Sequence, residues 1–133
     1  EYDKAVANLN KLNIKYVTHL ILGLPGETRE MMKESVKYVC KNNLFGIKLH
    51  MLNIVKGSRL ANDYPDYSFF KDTDDYVNFI LEIIPNNITI HRMTGDVPRE
   101  LLLAPPWSFK KRTILNGITK ELKRRNTFQG YSL

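Results

Sequence analysis

The sequence predicts an α/β fold built on three parallel strands, because three short apolar or β-branched runs alternate with stretches of helical periodicity in the order αβαβαβα. The crossovers between runs are long enough to hold a helix, which makes the strands parallel and the connections right-handed. Such a set is half of a barrel or half of an open sheet. The 133 residues, 43% of them hydrophobic, suit one domain over 1–133, with βα units to about residue 93 and a loop and basic helix over 94–133.

The first helix occupies residues 1–12, where Val6, Leu9 and Leu12 recur at helical spacing and Asn13 ends the run. Tyr16 to Leu22 is almost continuously apolar, the pattern of a strand covered on both faces. After the tight loop Gly23 to Thr28, Met32, Val36, Val39 and Cys40 mark a helix to about Asn43, with Thr28 as N-cap and Glu30 in its first turn. Gly46 opens the second strand, on which Ile47, Leu49 and Met51 share one face and Lys48, His50 and Leu52 the other. A short helix from Ser58 to Tyr64 and an aromatic stretch to Phe70 precede a helix over 74–84, with Val77, Ile80, Leu81 and Ile84 on one stripe. Ile88 to Met93 is the third strand, with Arg92 on the face of Ile88 and Ile90. A proline-rich loop from Thr94 to Trp107 leads to the last helix, about Ser108 to Arg125, which buries Ile114, Leu115, Ile118 and Leu122.

The chain opens on Glu1-Tyr2-Asp3-Lys4, without an initiator methionine, a signal segment or an apolar run of the roughly 18 residues that span a bilayer. The expectation is a soluble, cytoplasmic piece of something longer, with no membrane contact. Cys40 is the sole cysteine, which excludes an internal disulfide and any CxxxCxxC cluster motif, so this chain carries no metal site of that kind. The formal charge of +6 gathers near the carboxy terminus at Lys110, Lys111, Arg112, Lys120, Lys123, Arg124 and Arg125, interrupted only by Glu121. That clustering permits a polyanionic partner and equally a solvated helix face.

Ligands of parallel α/β folds bind at the carboxyl ends of the strands, here the loops after Leu22, Leu52 and Met93. In the first loop Gly23 and Gly26 permit close backbone approach to a flat ligand, Pro25 fixes the turn, and amides at the helix start can donate to an adenine edge or a phosphate. Read alone, Gly-x-Pro-Gly is a plain tight turn. The second loop offers Lys48, His50 and Asn53. The third offers Thr89, His91, Asp96 and Arg99, the last two either holding substrate or pairing with each other to brace the loop. His19, His50 and His91 all fall in strands, where three converging imidazoles would bind zinc or iron and hydrogen-bonded histidines are the commoner arrangement. Trp107 is read as a packing anchor.

Leu20 to Thr28 resembles the post-strand glycine motif of radical S-adenosylmethionine (SAM) enzymes, the group that includes coproporphyrinogen oxidases and the elongator-like tRNA-modifying proteins. Gly46 to His50, Val55 to Ala61, Arg92 to Arg99, Ala104 to Trp107 and Gln129-Gly130 are similar, in order, to YhcC-like radical SAM proteins. The resemblance implies the carboxy-terminal half of a partial TIM barrel: a three-stranded parallel half with helices on its outer face. The absent amino-terminal half would hold a 4Fe-4S cluster on the CxxxCxxC cysteines, and both halves would close over SAM. It further implies that Ile21, Gly23, Leu24, Pro25, Gly26 and Glu27 pack on the adenine, with His50, Leu52 and Asn53 as the other wall. Lys48, His91, Asp96 and Arg99 are substrate candidates. In the full-length protein the reduced cluster would cleave SAM to a 5′-deoxyadenosyl radical that abstracts a substrate hydrogen, the substrate being a tRNA nucleoside by analogy with the elongator-like relatives, and the basic helix would contact its phosphates. This chain alone should retain neither cofactor and be inactive. The alternatives are an RNA-binding module without catalysis and a histidine-metal hydrolase half-barrel. Open sheet edges predict either a homodimer or capping by helices.

Overall fold

A computed structural model describes residues 1–41, 43–77 and 81–133. The elements run α1 Tyr2–Lys11, β1 Val17–Leu22, α2 Arg29–Cys40, β2 Gly46–Met51, β3 Ile54–Val55, α3 Leu60–Asp63, α4 Thr73–Val77, a 3-10 turn Leu81–Ile83, β4 Thr89–Arg92, β5 Leu102–Ala104 and α5 Lys111–Arg125. The three predicted strands form a parallel sheet in the order β1-β2-β4. Its helix-covered face is the core, where Leu22, Ile47, Leu49 and Met51 meet Met32, Val36 and Val39 of α2 and Ile114 and Ile118 of α5.

Helix ends follow their residue types. At the close of α1, Asn13 takes a φ of 54°, while the Asn13 and Ile14 amides reach the Asn10 and Leu9 carbonyls at 3.1 and 2.9 Å. This is the paired closure that satisfies carbonyls a helix end would otherwise orphan, and asparagine tolerates the left-handed backbone it needs. The Thr28 hydroxyl accepts from the Met31 amide at 3.2 Å, the predicted N-cap of α2.

Four expectations are corrected. The segment read as loop contains β5, which pairs antiparallel with β3 as a second sheet; strands of two and three residues are too short to display a period. The end of the helix expected over 74–84 is a 3-10 turn at Leu81–Ile83, and α4 begins at Thr73; Ile80 and the Val77 side chain lie outside the described residues, and Leu81 and Ile84 are buried as expected. Leu115 is exposed, because α5 begins at Lys111 and its buried stripe runs through Ile114 and Ile118. Arg92 does not share the face of Ile90, because an extra residue interrupts the pairing of β4 with β2: Ile47 opposes Ile90, and Lys48 opposes Arg92.

The tail folds back beside β4. Gln129 donates from Nε2 to the Pro85 and Ile88 carbonyls, both at 2.7 Å, and Glu82 accepts from Arg125, Thr127 and Ser132. Burial alone would raise the Glu82 carboxyl, but hydrogen bonds from Thr127 and Arg125 outweigh it and hold it below the ordinary range. Among the described residues no helix is long and apolar enough to cross a membrane.

Candidate functional site

The face of the sheet opposite the core carries the ionisable side chains of β1 and β2. Strand alternation puts His19 and Ile21 of β1 there, opposite Lys48 and His50 of β2. On this face of β1 His19 and Ile21 are both exposed, Ile21 at 50%. The His19 and His50 rings stack with centroids 6.1 Å apart and planes inclined by 22°. The bulge adds Arg92 beside Lys48, and Arg92 reaches Asp96 at 3.6 Å, which Lys111 also contacts at 3.3 Å.

His91 is shifted over Gly46, where a Cβ would fall 2.4 Å from its ring, and its ring centroid lies 5.9 Å from that of Phe45. It therefore sits at the opposite end of β2 from His50. The three imidazoles do not converge, and no group of three metal-ligating side chains occurs among the described residues. Asp96 and Arg99 do not pair either: the Arg99 guanidinium lies 4.8 Å from the centroid of the Phe109 ring.

The first loop is closed from within. Glu27 accepts from the Gly23 and Leu24 amides at 2.8 and 2.9 Å, so these two loop donors are held by its carboxylate. Gly23 has φ +82° and is buried against Phe69 and Phe70, with no room for a side chain. Gly26 has φ +83° with open space around it, and its glycine serves the turn beside Pro25. The Tyr67 hydroxyl donates to the Leu24 carbonyl at 3.0 Å, so the aromatic stretch straps the loop while Leu24 stays exposed.

The second and third loops are clasped together. Ser108 donates to the Asn53 side-chain oxygen at 2.7 Å, and the Asn53 amide nitrogen lies 2.5 Å from where a Gly95 Cβ would be. Leu52 continues the β1–β2 ladder through its amide to the Leu22 carbonyl at 2.9 Å. The buried Thr94 hydroxyl has no hydrogen-bond partner among the described residues. Sequence reasoning passed over Ser108, Phe69 and Phe70; their roles arise from contacts distant in sequence, for which no local pattern exists.

Several cations of the basic helix are engaged. Arg124 and Arg125 pair with Glu121, Arg125 also with Glu82, and Lys111 with Asp96. Lys110 lies over the Phe109 ring at 5.8 Å. Arg112, Lys120 and Lys123 are exposed and form no ion pair among the described residues. Trp107 is partly buried and packed against the core, as an anchor would be.

Burial lowers the His50 pKa below its ordinary value, reinforced by Arg92, His19 and Lys48 and opposed by Asp96. Between that lowered value and the ordinary one near 6.5, the unfolded chain binds more protons at this site than the folded one. This contribution to stability therefore rises with pH and is lost on acidification. Urea midpoints at about pH 7.5 and about pH 5.5 should differ by less in His50→Gln than in the parent sequence; an equal difference would dissociate His50 from the effect.

Residues 45–124, more than half the chain, match the family described as the Radical_SAM C-terminal domain. The chain is 41% identical over 133 residues to the protein YtqA of Bacillus subtilis and 33% identical over 136 residues to YhcC of Escherichia coli K12. A Methanocaldococcus jannaschii protein is 32% identical over 133 residues. These alignments cover 96–99% of the chain but only 41–44% of the relatives, so the chain spans about two-fifths of their length.

Proposed function

Because the chain belongs to the radical SAM C-terminal domain family and is a YhcC-like member of it, we propose that it forms the carboxy-terminal half of a partial barrel whose lumen is the open sheet face. The observation that carries this reading is Ile21, an apolar side chain half exposed at the carboxyl end of a parallel strand, opposite His50. A strand end that presents an apolar surface beside hydrogen-bonding groups suits the flat, partly polar adenine of SAM.

The donor set divides the two cofactors. The SAM adenine fits the wall of Ile21, Leu52 and His50, with Gly23 to Glu27 fixing its height through the amide clamp. A cluster does not fit: Cys40 is the only thiol, it lies on helix α2, and burial pushes its pKa up to about 11, which keeps it protonated. Cluster ligands belong to the part of the parent outside this chain. SAM bound beside a reduced cluster supplies radical hydrogen abstraction. This chain's residues would wall the nucleoside, orient it through the clasped loops and exclude water from the lumen. We further propose that the missing half pairs with the free edge of β1, along a groove lined by Tyr2, Thr18, Leu20 and Tyr38. A tRNA nucleoside is the proposed substrate, with Arg112, Lys120 and Lys123 positioned for phosphates.

The test is the full-length parent, prepared anaerobically and assayed for iron, sulfide and reductive formation of 5′-deoxyadenosine from SAM. Ile21→Asp in that protein should weaken SAM binding by about tenfold or more, since it sets a charge against an apolar ring face. Cleavage absent from a fully iron-loaded parent would overturn the assignment, and unchanged SAM affinity in Ile21→Asp would remove β1 from the pocket.

A further inference from the structure

We propose that Lys48 and Arg92 form an oxyanion-recognising pair on the open sheet face, and that the substrate held there carries a phosphate or carboxylate group. The proposal rests on the lumen reading above and specifies what that lumen takes.

The two residues oppose each other on neighbouring strands, which sets their backbones about 5 Å apart. They do so only because of the bulge. A regular pleat would place His91 opposite Lys48 and turn Arg92 toward the helix-covered side with Leu49. Bulges re-aim side chains next to active sites, and this one brings a second cation to the first. Like charges directly opposed on a sheet are destabilising, so the arrangement is strained in charge until an anion joins it.

The surroundings supply little compensation. Lys48 is half-buried and makes no ion pair among the described residues. Arg92 has Asp96 at 3.6 Å, and Asp96 is shared with Lys111. The stacked His19 and His50 extend the same face, and among the described residues Asp96 is the only acid of the charged groups acting on His50. A guanidinium fork beside an ammonium matches an oxyanion well: the fork orients two oxygens and the ammonium adds a compact charge.

The experiment is calorimetric titration of the full-length, cluster-reconstituted parent with inorganic phosphate and, separately, with acetate. Saturable binding of at least one anion is expected, weakened about tenfold by Lys48→Met and by Arg92→Met and kept within about threefold by Lys48→Arg. A preference for phosphate assigns a phosphoryl-bearing substrate, and a preference for acetate a carboxylate. Absence of saturable binding, or variants that bind as the parent does, overturns the proposal. Equal loss in Lys48→Arg and Lys48→Met also overturns it, in favour of a packing defect. SAM affinity falling in step with anion affinity would assign the pair to the cofactor's own carboxylate and overturn the substrate assignment. If the parent binds the anion through this pair yet never cleaves SAM, the radical SAM reading fails and the anion site stands.

Discussion

Gly23→Ala is expected to destabilise the fold by about 2–4 kcal/mol, the sum of a left-handed backbone forced on a residue with a Cβ and an overpacked contact. Both contributions are visible at this position. The φ is +82°, and an added Cβ would stand 2.9 Å from Phe69 Cβ and 3.1 Å from the Phe70 ring. Phe69 Cβ is rigidly tied to its backbone, so relief requires the whole aromatic segment to move. Urea unfolding should show a lower midpoint with an unchanged slope. A change below about 0.5 kcal/mol would mean that the loop takes another conformation than the one described. Gly26→Ala, with comparable φ but open space, isolates the backbone contribution and should cost about 1 kcal/mol.

Phe70→Ala should cost about 3–5 kcal/mol, the range for removing a buried phenylalanine and leaving its cavity. Phe70 is 3% exposed and meets Phe69 and Tyr76 edge-on at centroid distances of 5.1 and 5.0 Å. Tyr76, whose hydroxyl donates to the Met93 carbonyl at 2.6 Å, ties this aromatic group to the end of β4. Its loss should thus loosen the first and third loops together. Because Phe70 is one of the atoms that crowd position 23, the two substitutions should couple: Gly23→Ala should cost less in a Phe70→Ala background by about 0.5–1 kcal/mol. Strict additivity would show that Phe69 alone supplies the clash.

What local pattern conveys is legible in the sequence. The parallel sheet announced itself through apolar strand runs, the helix boundaries through Asn13 and Thr28, and the polar face of β2 through Lys48 and His50. What escaped were long-range contacts and single-residue register. Ile88, Ile90 and Arg92 satisfy a period of two perfectly well, yet the bulge at His91 moves the arginine to the other face; nothing in the six-residue run marks an insertion. Gly23 reads in the sequence as a point of ligand approach because its aromatic neighbours lie more than forty residues away. In sequence Asp96 and Arg99 read either as substrate holders or as a pair; in the fold Asp96 turns to Arg92 and Lys111 and Arg99 to Phe109. Pairing rules for loops need the neighbours that only the fold supplies.

The Gln129 side chain spans the Pro85 and Ile88 carbonyls, and that bridge bears on how the molecule is made. Synthesis proceeds from the amino end, so β1, α2 and β2 are complete while the residues that seal the entry to β4 are still to be added. Until Gln129 arrives, the Pro85 carbonyl has the Ile88 amide at 3.0 Å, while the Gln129 donor to it and to the Ile88 carbonyl is still missing. β4 can thus pair with β2 before the residue that bridges its entry has been added. The tail acts as a closing stitch, added after the strand whose entry it secures.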